Sequence, residues 1–369
     1  MGERAAIVGL GYEGFRRRVE DLSTREMIFS AALRACEDAD VDPRRDVDAF
    51  ISCAEDLSDG WSITDEMVPD PMGGALRPVH TVAGDGLQGL AQACMMIRTG
   101  AFGLVLVEAH AKASDLLALE QVRRFALDPI FLRPVVEEAD VLAGLERSLL
   151  ADKASEEFIL DYIVESKRRA LLNPRGSYGA RLSRDEVLAS PYLWAPLRAI
   201  EKAPPAEAAI VMLVGSRAWA NRARVRPVWV EGFAYATDSR PLFDRLNRRP
   251  LAAEACLKAL LKAARLEGLP RLDMLELEDS YAHKVLQLLE ALGLPGGGLE
   301  AINPSGGALG LGCLLEAGGL AKALECALAI RGQAPYAAQG VKRALAFSWR
   351  GIPTDTYAAA LFSAEEGGP

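Results

Sequence analysis

Residues 303–312 read NPSGGALGLG and stand directly before a run of mainly apolar residues at 314–330. A helix over this run would be apolar on nearly every side, which is typical of helices buried inside a protein. A second apolar helix is predicted at 84–99, where Gly100 is the residue type that most often ends a helix in the left-handed conformation. The sequence therefore predicts two buried helices, one in each half of the chain.

Short runs with the composition of strands surround both predicted helices in the same order. They lie at 5–8, 47–53 and 104–107 in the first half, and at 228–235, 274–277, 344–349 and 356–362 in the second. Two similar β-α-β-α-β halves, 1–225 and 226–369, imply an α/β fold in which sheets enclose the buried helices. The polar, helical segment at about 115–197 is predicted to be an insertion into the first half.

The composition of the 369-residue chain excludes several classes of function. Its formal net charge is -9, whereas nucleic acids and anionic membranes attract basic proteins. No run approaches the roughly 20 apolar residues of a transmembrane helix, and the N-terminus does not resemble a signal peptide. The cysteines lack CxxC spacing and the histidines share no metal-binding spacing. We therefore expect reduced thiols, no metal and a cytoplasmic location.

Residues 9–14 (GLGYEG) match the GxGxxG pattern of dinucleotide-binding loops, directly after a predicted strand. Such a loop leads straight into a helix, but Phe15 and the arginines that follow it show no apolar periodicity. The next predicted helix begins only at Ser23, where Ser23 and Glu26 form an S-x-x-E capping box. The motif therefore favours a tight loop after the first strand over a nucleotide site.

A series of segments in fixed order forms the clearest family pattern of the chain. In order they are 128–134 (DPIFLRP), 167–174 (KRRALLNP), 183–190 (SRDEVLAS), 196–198 (PLR), 275–282 (LELEDSYA) and 303–312. The series resembles the loop domain, the acidic strand end and the glycine-rich loop of the thiolase superfamily. The likeness is closest to archaeal and sterol-carrier-protein-type thiolases.

This resemblance implies a five-layer α/β/α/β/α thiolase fold and a role in lipid metabolism. It implies an acyl-CoA ligand, with no cofactor other than the coenzyme A thioester. It also implies a homodimer in which the strand at 104–107 pairs across a twofold axis.

The residues that carry thiolase chemistry are changed. The family's nucleophilic cysteine lies at the N-terminus of a buried helix, where the helix dipole favours the thiolate. Within residues 79–86 (VHTVAGDG), Ala83 takes that place. Cys313 stands where the family has the histidine of a Gly-His-Pro motif, and Glu278 stands where it has a His or Asn. Residues 348–351 (SWRG) replace the motif that supplies a Cys or His base. Because a covalent Claisen mechanism needs these groups together, ordinary thiolase activity is not expected.

Three functions remain open for such a chain. The first is a silent subunit that works beside an active thiolase or a small zinc-ribbon/OB-fold partner. The second is a CoA-thioester aldolase or lyase of the thiolase fold. The third is an atypical acetyl-CoA acyltransferase in which Cys313 replaces the missing nucleophile; alternatively, Cys313 only fills the space left by the histidine.

Candidate catalytic residues cluster around the end of the strand predicted at 274–277. Carboxylates, a phenol and an imidazole suited to acid–base work such as retro-aldol cleavage come from Glu278, Asp279, Tyr281 and His283. Because side chains alternate along a strand, Glu278 and Asp279 are expected to point to opposite faces. The alternative is that all these groups only satisfy the loop backbone and solvent.

Coenzyme A needs cations for its phosphates and a narrow pocket for its pantetheine arm. The insertion carries cations at Arg123, Arg124, Lys167, Arg168, Arg169, Arg175 and Arg181. We expect Arg168 and Arg169 to contact the phosphates, unless these cations only balance the insertion's own carboxylates. Contacts to the substrate are also expected from the glycine-rich loop, at Ser305, Gly306 and Gly307. The pocket is expected to end near Ala83 and Gly307, and to be smaller and drier than in the family because the Cys and His are missing.

Overall fold

The computed structural model describes residues 3–56, 63–115, 119–134, 136, 138–294, 299–351 and 355–366. The strands are β1 (Ala5–Arg16), β2 (Ala49–Cys53), β3 (Val79–Val82), β4 (Leu104–Ala111), β5 (Tyr192–Trp194), β6 (Leu197–Arg198), β7 (Glu207–Ser216), β8 (Val228–Asp238), β9 (Met274–Leu277), β10 (Arg343–Arg350) and β11 (Asp355–Ser363). In the first half the helices are α1 (Thr24–Ala39), α2 (Pro43–Asp46), α3 (Thr64–Met67), α4 (Gly86–Arg98), α5 (Leu119–Ala126), α6 (Asp140–Ser148), α7 (Lys153–Ala170), α8 (Arg184–Leu188) and α9 (Arg217–Arg222). In the second half they are α10 (Leu242–Arg245), α11 (Leu251–Ala264), α12 (Ala282–Ala291), α13 (Gly307–Leu311) and α14 (Gly318–Ile330).

Nine of these strands form a sheet in the order β3-β2-β4-β7-β1-β8-β11-β10-β9. In the first half β2 runs parallel to β3 and β4, while β7 is antiparallel to β4 and β1. The second half repeats this scheme, with β9 parallel to β10 and with β11 antiparallel to β10 and β8. A parallel bridge joins Leu275 of β9 to Ile302. Its position beside β9 corresponds to that of β3 beside β2 in the first half. The predicted fold of two similar halves is therefore confirmed.

The two halves of the sheet enclose α4 and α14. Within the sheet, the two halves are joined by the short pairing of β1 with β8, at Ala6–Trp229 and Ile7–Val228. Because side chains alternate along a strand, Val105 and Val107 of β4 pack towards the central helices, while Leu104 and Leu106 pack against α1. In the second half β10 does the same between the central helices and an outer layer formed by α11 and α12. These are the five predicted layers.

Strand β7 (Glu207–Ser216) is missing from the prediction made on the sequence. All of its residues are buried, and the apolar run from 208 to 214 suits a buried strand and a buried helix equally well. Its place between β4 and β1 also corrects the predicted dimer contact. Because β4 pairs with β2 on one side and β7 on the other, the strand at 104–107 has no free edge to offer across a twofold axis.

The GxGxxG motif lies inside a strand, so the predicted tight loop is wrong. Strand β1 continues through residues 9–14 and beyond, paired with β7. The glycines are needed because α1 crosses β1 closely: a Cβ at Gly9 would lie 2.6 Å from the carbonyl oxygen of Ala35, and one at Gly11 would overlap the carbonyl oxygen of Ala31. The predicted capping box at the start of α1 is confirmed by reciprocal bonds between Ser23 and Glu26.

Among the described residues, no helix is both long and apolar enough to span a membrane.

Replacing Gly11 with alanine should force α1 away from β1. We expect Gly11→Ala to lower the free energy of unfolding by about 1–3 kcal/mol, the usual cost of overpacking, in a denaturant titration. Gly268→Ala is the matched control, because a Cβ there meets no atom within 4 Å. Equal stability of the two variants would contradict the close crossing.

Candidate active site

A cavity of about 580 Å³ lies at the N-terminal ends of the two central helices. Residues from both halves of the chain line it. Ala83 lies just before α4, Cys313 lies just after α13, and Trp349 and Arg350 lie near the end of β10. The remaining wall comes mainly from the end of β9, from the glycine-rich loop and from α14. Carboxylates line it at Glu55, Asp85, Glu276, Glu278, Glu316 and Glu325.

Asp85 joins the two central helices at the base of this cavity. Its Oδ1 accepts hydrogen bonds from the Leu87 amide of α4 (2.9 Å) and from the Ser348 hydroxyl of β10 (2.6 Å). Its Oδ2 accepts one from the Gly319 amide of α14 (2.9 Å). Burial raises the pKa of Asp85, and the Ser348 and Leu87 bonds offset part of that rise. One carboxylate therefore caps both helices and ties them to the closing strand.

Glu278 and Lys322 form a buried ion pair in the cavity, with Lys322 Nζ 3.0 Å from Glu278 Oε2. Burial alone would raise the pKa of Glu278, but Lys322 and the Ser280 amide outweigh it and hold that pKa below its ordinary value. Burial alone would lower the pKa of Lys322, but attraction to Glu278 and Asp279 holds it above its ordinary value. A carboxylate base and an ammonium thus face the cavity together at neutral pH.

Glu276 and Glu325 lie deeper in the same wall. Burial, together with the nearby Glu325, raises the pKa of Glu276 to about 8, so that it is protonated at neutral pH. The Ser305 hydroxyl donates to Glu276 over 2.7 Å. Glu325 instead receives two bonds from Arg175, of 2.7 and 2.9 Å.

Arg350 borders the cavity beside Ala83. Its guanidinium contacts Glu55, lies 3.4 Å from Glu316 and donates to the Ala83 carbonyl oxygen over 3.3 Å. Charged side chains therefore border the cavity around the altered motifs at Ala83 and Arg350.

No protein-family profile matches the chain, but individual proteins do. The acetyl-CoA acetyltransferase of Methanothermobacter thermautotrophicus is 24% identical over 363 residues, covering 89% of this chain and 91% of that protein. The solved Ltp2-ChsH2(DUF35) aldolase superposes with a TM-score of 0.82 at 20% identity, over 98% of this chain and 97% of that one. A monomeric SCP2-thiolase-like protein of Mycobacterium smegmatis gives a TM-score of 0.75 at 18% identity, over 99% of this chain and 78% of that one. The chain therefore has the thiolase fold and is similar to members of the thiolase superfamily.

Within this thiolase fold, the cavity collects some of the predicted site residues and leaves others out. Those that line it are Cys313, Glu278, Tyr281, Ser305 and Gly307. Those that do not are Asp279, His283, Gly306, Arg168 and Arg169. The side chains of Glu278 and Asp279 thus point to different sides, as the alternation along a strand predicts, although β9 itself ends at Leu277.

Asp279 holds the glycine-rich loop from behind. It accepts bonds from the Tyr162 hydroxyl (2.7 Å) and from the amides of Ala308 (2.6 Å) and Leu309 (3.2 Å). Burial raises the pKa of Asp279 to about 6. These bonds account for Asp279 as a support of the cavity wall.

Tyr281 and His283 are engaged with the insertion. The Tyr281 hydroxyl donates to Asp140 over 2.7 Å, so its ring rather than a free phenol borders the cavity. His283 is fully buried against Glu146, at 3.3 Å, and burial lowers its pKa to about 4. A neutral histidine outside the cavity is poorly placed to act as its base.

The cations of the insertion differ in what they contact. Lys167 donates to the Leu309 carbonyl oxygen over 2.6 Å, and Arg175 pairs with Glu325, so both serve the interior. Arg169 is buried between Glu165 (2.7 Å) and the Ile302 carbonyl oxygen (2.5 Å). Arg168 is exposed and pairs with Glu165. The side chain of Arg123 lies outside the described residues, and a phosphate contact of Arg168 stays a prediction.

No functional role was predicted from the sequence for Asp85, Glu276, Lys322 or Arg350. A signal was available for Lys322 and Glu325, which are the charged residues within the otherwise apolar α14. A charge on a buried helix needs a partner, and the partner marks a polar site. Across the described part of the chain, no group of three or more His, Cys, Asp or Glu residues is arranged to hold a metal ion.

Ala83 carries no group that can be acylated. After incubation with acetyl-CoA, intact-mass analysis of the protein should detect no added acetyl group. An acetylated species that maps to Cys313, the half-buried thiol of the cavity, would contradict this and favour an atypical acyltransferase.

Proposed function

We propose that this protein acts on CoA thioesters without an acyl-enzyme, as an aldolase that cleaves or forms the carbon–carbon bond of a 3-hydroxyacyl-CoA. One observation carries the proposal: the cavity that has lost the nucleophile at Ala83 contains the Glu278–Lys322 ion pair. A carboxylate and a fixed ammonium are suited to proton transfer and to stabilising a negative oxygen. The structural likeness to an aldolase supports the same reaction class.

The pair can perform each step of a retro-aldol cleavage. The Glu278 carboxylate accepts the proton of the 3-hydroxyl group, the Cα–Cβ bond breaks, and the hydroxyl-bearing carbon becomes a carbonyl. The bond electrons pass into the thioester as an enolate, whose oxygen is stabilised by the ammonium of Lys322. The proton held by Glu278 then moves to Cα. The reaction consumes no oxidant, reductant or cofactor.

A silent subunit is the second candidate, and the bonding of the cavity favours it. Glu278, Asp85 and Glu325 all have strong partners within the chain, so the site is held together without a substrate. Such a subunit would work beside an active thiolase or a small zinc-ribbon/OB-fold protein. The name of the solved aldolase, which pairs Ltp2 with ChsH2(DUF35), supports the presence of a partner protein.

Neutralising the ion pair should abolish turnover. With a panel of 3-hydroxyacyl-CoAs and mass-spectrometric detection of the shortened acyl-CoA, we expect Glu278→Gln to lower kcat about 10²–10⁴-fold. Lys322→Met should lower it about 10²–10³-fold, because it removes the cation that faces the enolate. The controls Glu37→Gln and Lys258→Met neutralise exposed residues of α1 and α11 and should retain turnover. Absence of turnover across the panel, together with absence of CoA binding, would leave the silent subunit.

Coenzyme A itself should bind with a dissociation constant in the micromolar range, which corresponds to a binding free energy of about -8 kcal/mol. Binding should be weaker at high salt. Arg168→Ala should weaken this binding by roughly 1 kcal/mol in calorimetry, because its exposed guanidinium is shared with Glu165. Arg184→Ala removes a comparable exposed arginine, paired with Asp161, and should not alter it. An equal effect of the two substitutions would contradict a phosphate contact at Arg168.

We also propose a homodimer, formed through β3 instead of β4. Among the described residues β3 pairs only with β2, and its His80 and Thr81 are exposed, so that its other edge offers free backbone groups. Light scattering at micromolar concentration should give twice the 39.7 kDa of one chain. A mass of 39.7 kDa would contradict the dimer and match the monomeric state named for the relative from Mycobacterium smegmatis.

A further inference from the structure

The acidic lining of the cavity restricts which acyl group it can hold, if the protein binds CoA thioesters as proposed. The carboxylates come from the chain after β2, from the head of α4, from β9 and the residue after it, and from α14 and the turn before it. Because these elements surround the cavity, an acyl group inside it meets carboxylates on several sides.

In the ion pairs of the described residues, these carboxylates outnumber their cations. Lys322 is matched by Glu278, and Arg175 by Glu325. Arg350, however, is shared by two carboxylates, those of Glu55 and Glu316.

Asp85 adds a further negative charge, since within the described residues it has amide and hydroxyl donors but no ion pair. Glu276, protonated at neutral pH, contributes no charge of its own. The cavity therefore has an excess of negative charge.

This excess disfavours two classes of acyl group. A hydrocarbon chain would displace water from the carboxylates without replacing its hydrogen bonds, which is costly for buried polar groups. A carboxylated acyl group would add a like charge beside Glu316 and Asp85. A group that donates hydrogen bonds satisfies the same carboxylates. We infer that the substrate is a CoA thioester with a short acyl group that carries a hydrogen-bond donor, a hydroxyl or an ammonium group.

Four CoA thioesters with three-carbon acyl groups test this inference. Propionyl-, 3-hydroxypropionyl-, β-alanyl- and malonyl-CoA differ only at the terminal carbon, which is a methyl, a hydroxymethyl, an aminomethyl or a carboxylate group. In calorimetric titrations of the full chain, with the ligands checked as intact by mass spectrometry, both donor-bearing thioesters should bind at least tenfold more tightly than propionyl-CoA. Malonyl-CoA should bind most weakly. A preference for β-alanyl- over 3-hydroxypropionyl-CoA would assign the recognition to charge, and equal affinity would assign it to hydrogen bonding.

The variant Glu316→Gln connects the preference to the cavity. It removes one of the two carboxylates on Arg350 and should reduce the ratio of β-alanyl- to malonyl-CoA affinity severalfold, whereas Glu37→Gln on α1 should not change that ratio. If free CoA binds but propionyl-CoA binds as well as the donor-bearing thioesters, the inference is overturned, whereas the proposed function is decided separately by turnover of the 3-hydroxyacyl-CoA panel. If neither CoA nor any of the four binds at millimolar concentration, the proposed function and the inference fall together.

Discussion

The carboxylate of Asp85 is the contact on which the site depends. It accepts bonds from the first turns of α4 and α14 and from Ser348 of β10, and so fixes three elements of the two halves relative to one another. The helices must approach closely to share it. A Cβ on Gly86 would lie 2.6 Å from Leu320 Cγ, and a Cβ on Gly319 would overlap Asp85 itself.

The same carboxylate supplies the negative charge that the N-terminus of α4 favours, although Ala83 carries no thiol. The N-terminus of a buried helix favours a negative charge, and in thiolases that charge is the nucleophilic thiolate. Here Asp85 provides a negative charge two residues further on, where it serves two helices at once. The dipoles therefore stabilise a fixed structural anion. In the proposed reaction, the reactive groups come from elsewhere in the cavity, from the ion pair of Glu278 and Lys322.

Local patterns were sufficient to predict most helices and strands, but not which elements lie next to one another or which strands form the edges of the sheet. The two apolar helices and most strands can each be recognised from the composition of one short segment. The capping box at Ser23 depends on two residues only. The GxGxxG glycines were misinterpreted because their cause, the crossing of α1 over β1, lies some 20 residues away in the chain. The expected dimer contact at 104–107 was wrong because β4 pairs with β7, a strand that was not predicted from the sequence.

The candidate site was predictable only in part, for a related reason. Alternation along the strand predicted that Glu278 and Asp279 point to opposite faces, but not which of them faces the cavity. Lys322 and Glu325 could be understood only once Glu278 and Arg175 were seen to face them. A buried charge is defined by its partner, and here each partner comes from a distant part of the chain. The insertion illustrates this most clearly: its basic residues at 167–175 suggest a phosphate rim, whereas several of them hold interior carbonyl and carboxylate groups.

The residues that make this chain resemble thiolases are largely those that build the wall of the cavity. Helix α7 and the turn after it hold the glycine-rich loop by its carbonyl oxygens: Ser166 bonds Gly306, Lys167 bonds Leu309, and Asn173 bonds Ser305. Both members of this contact, 167–174 and 303–312, belong to the pattern by which the family is identified. The departures fall instead on side chains that would react, at Ala83 and Cys313. The side chains that face the cavity can therefore change without disturbing its wall, because the glycine-rich loop is held by its backbone carbonyl oxygens. For this reason the sequence pattern identifies the scaffold, while the reaction must be argued from the charges inside it.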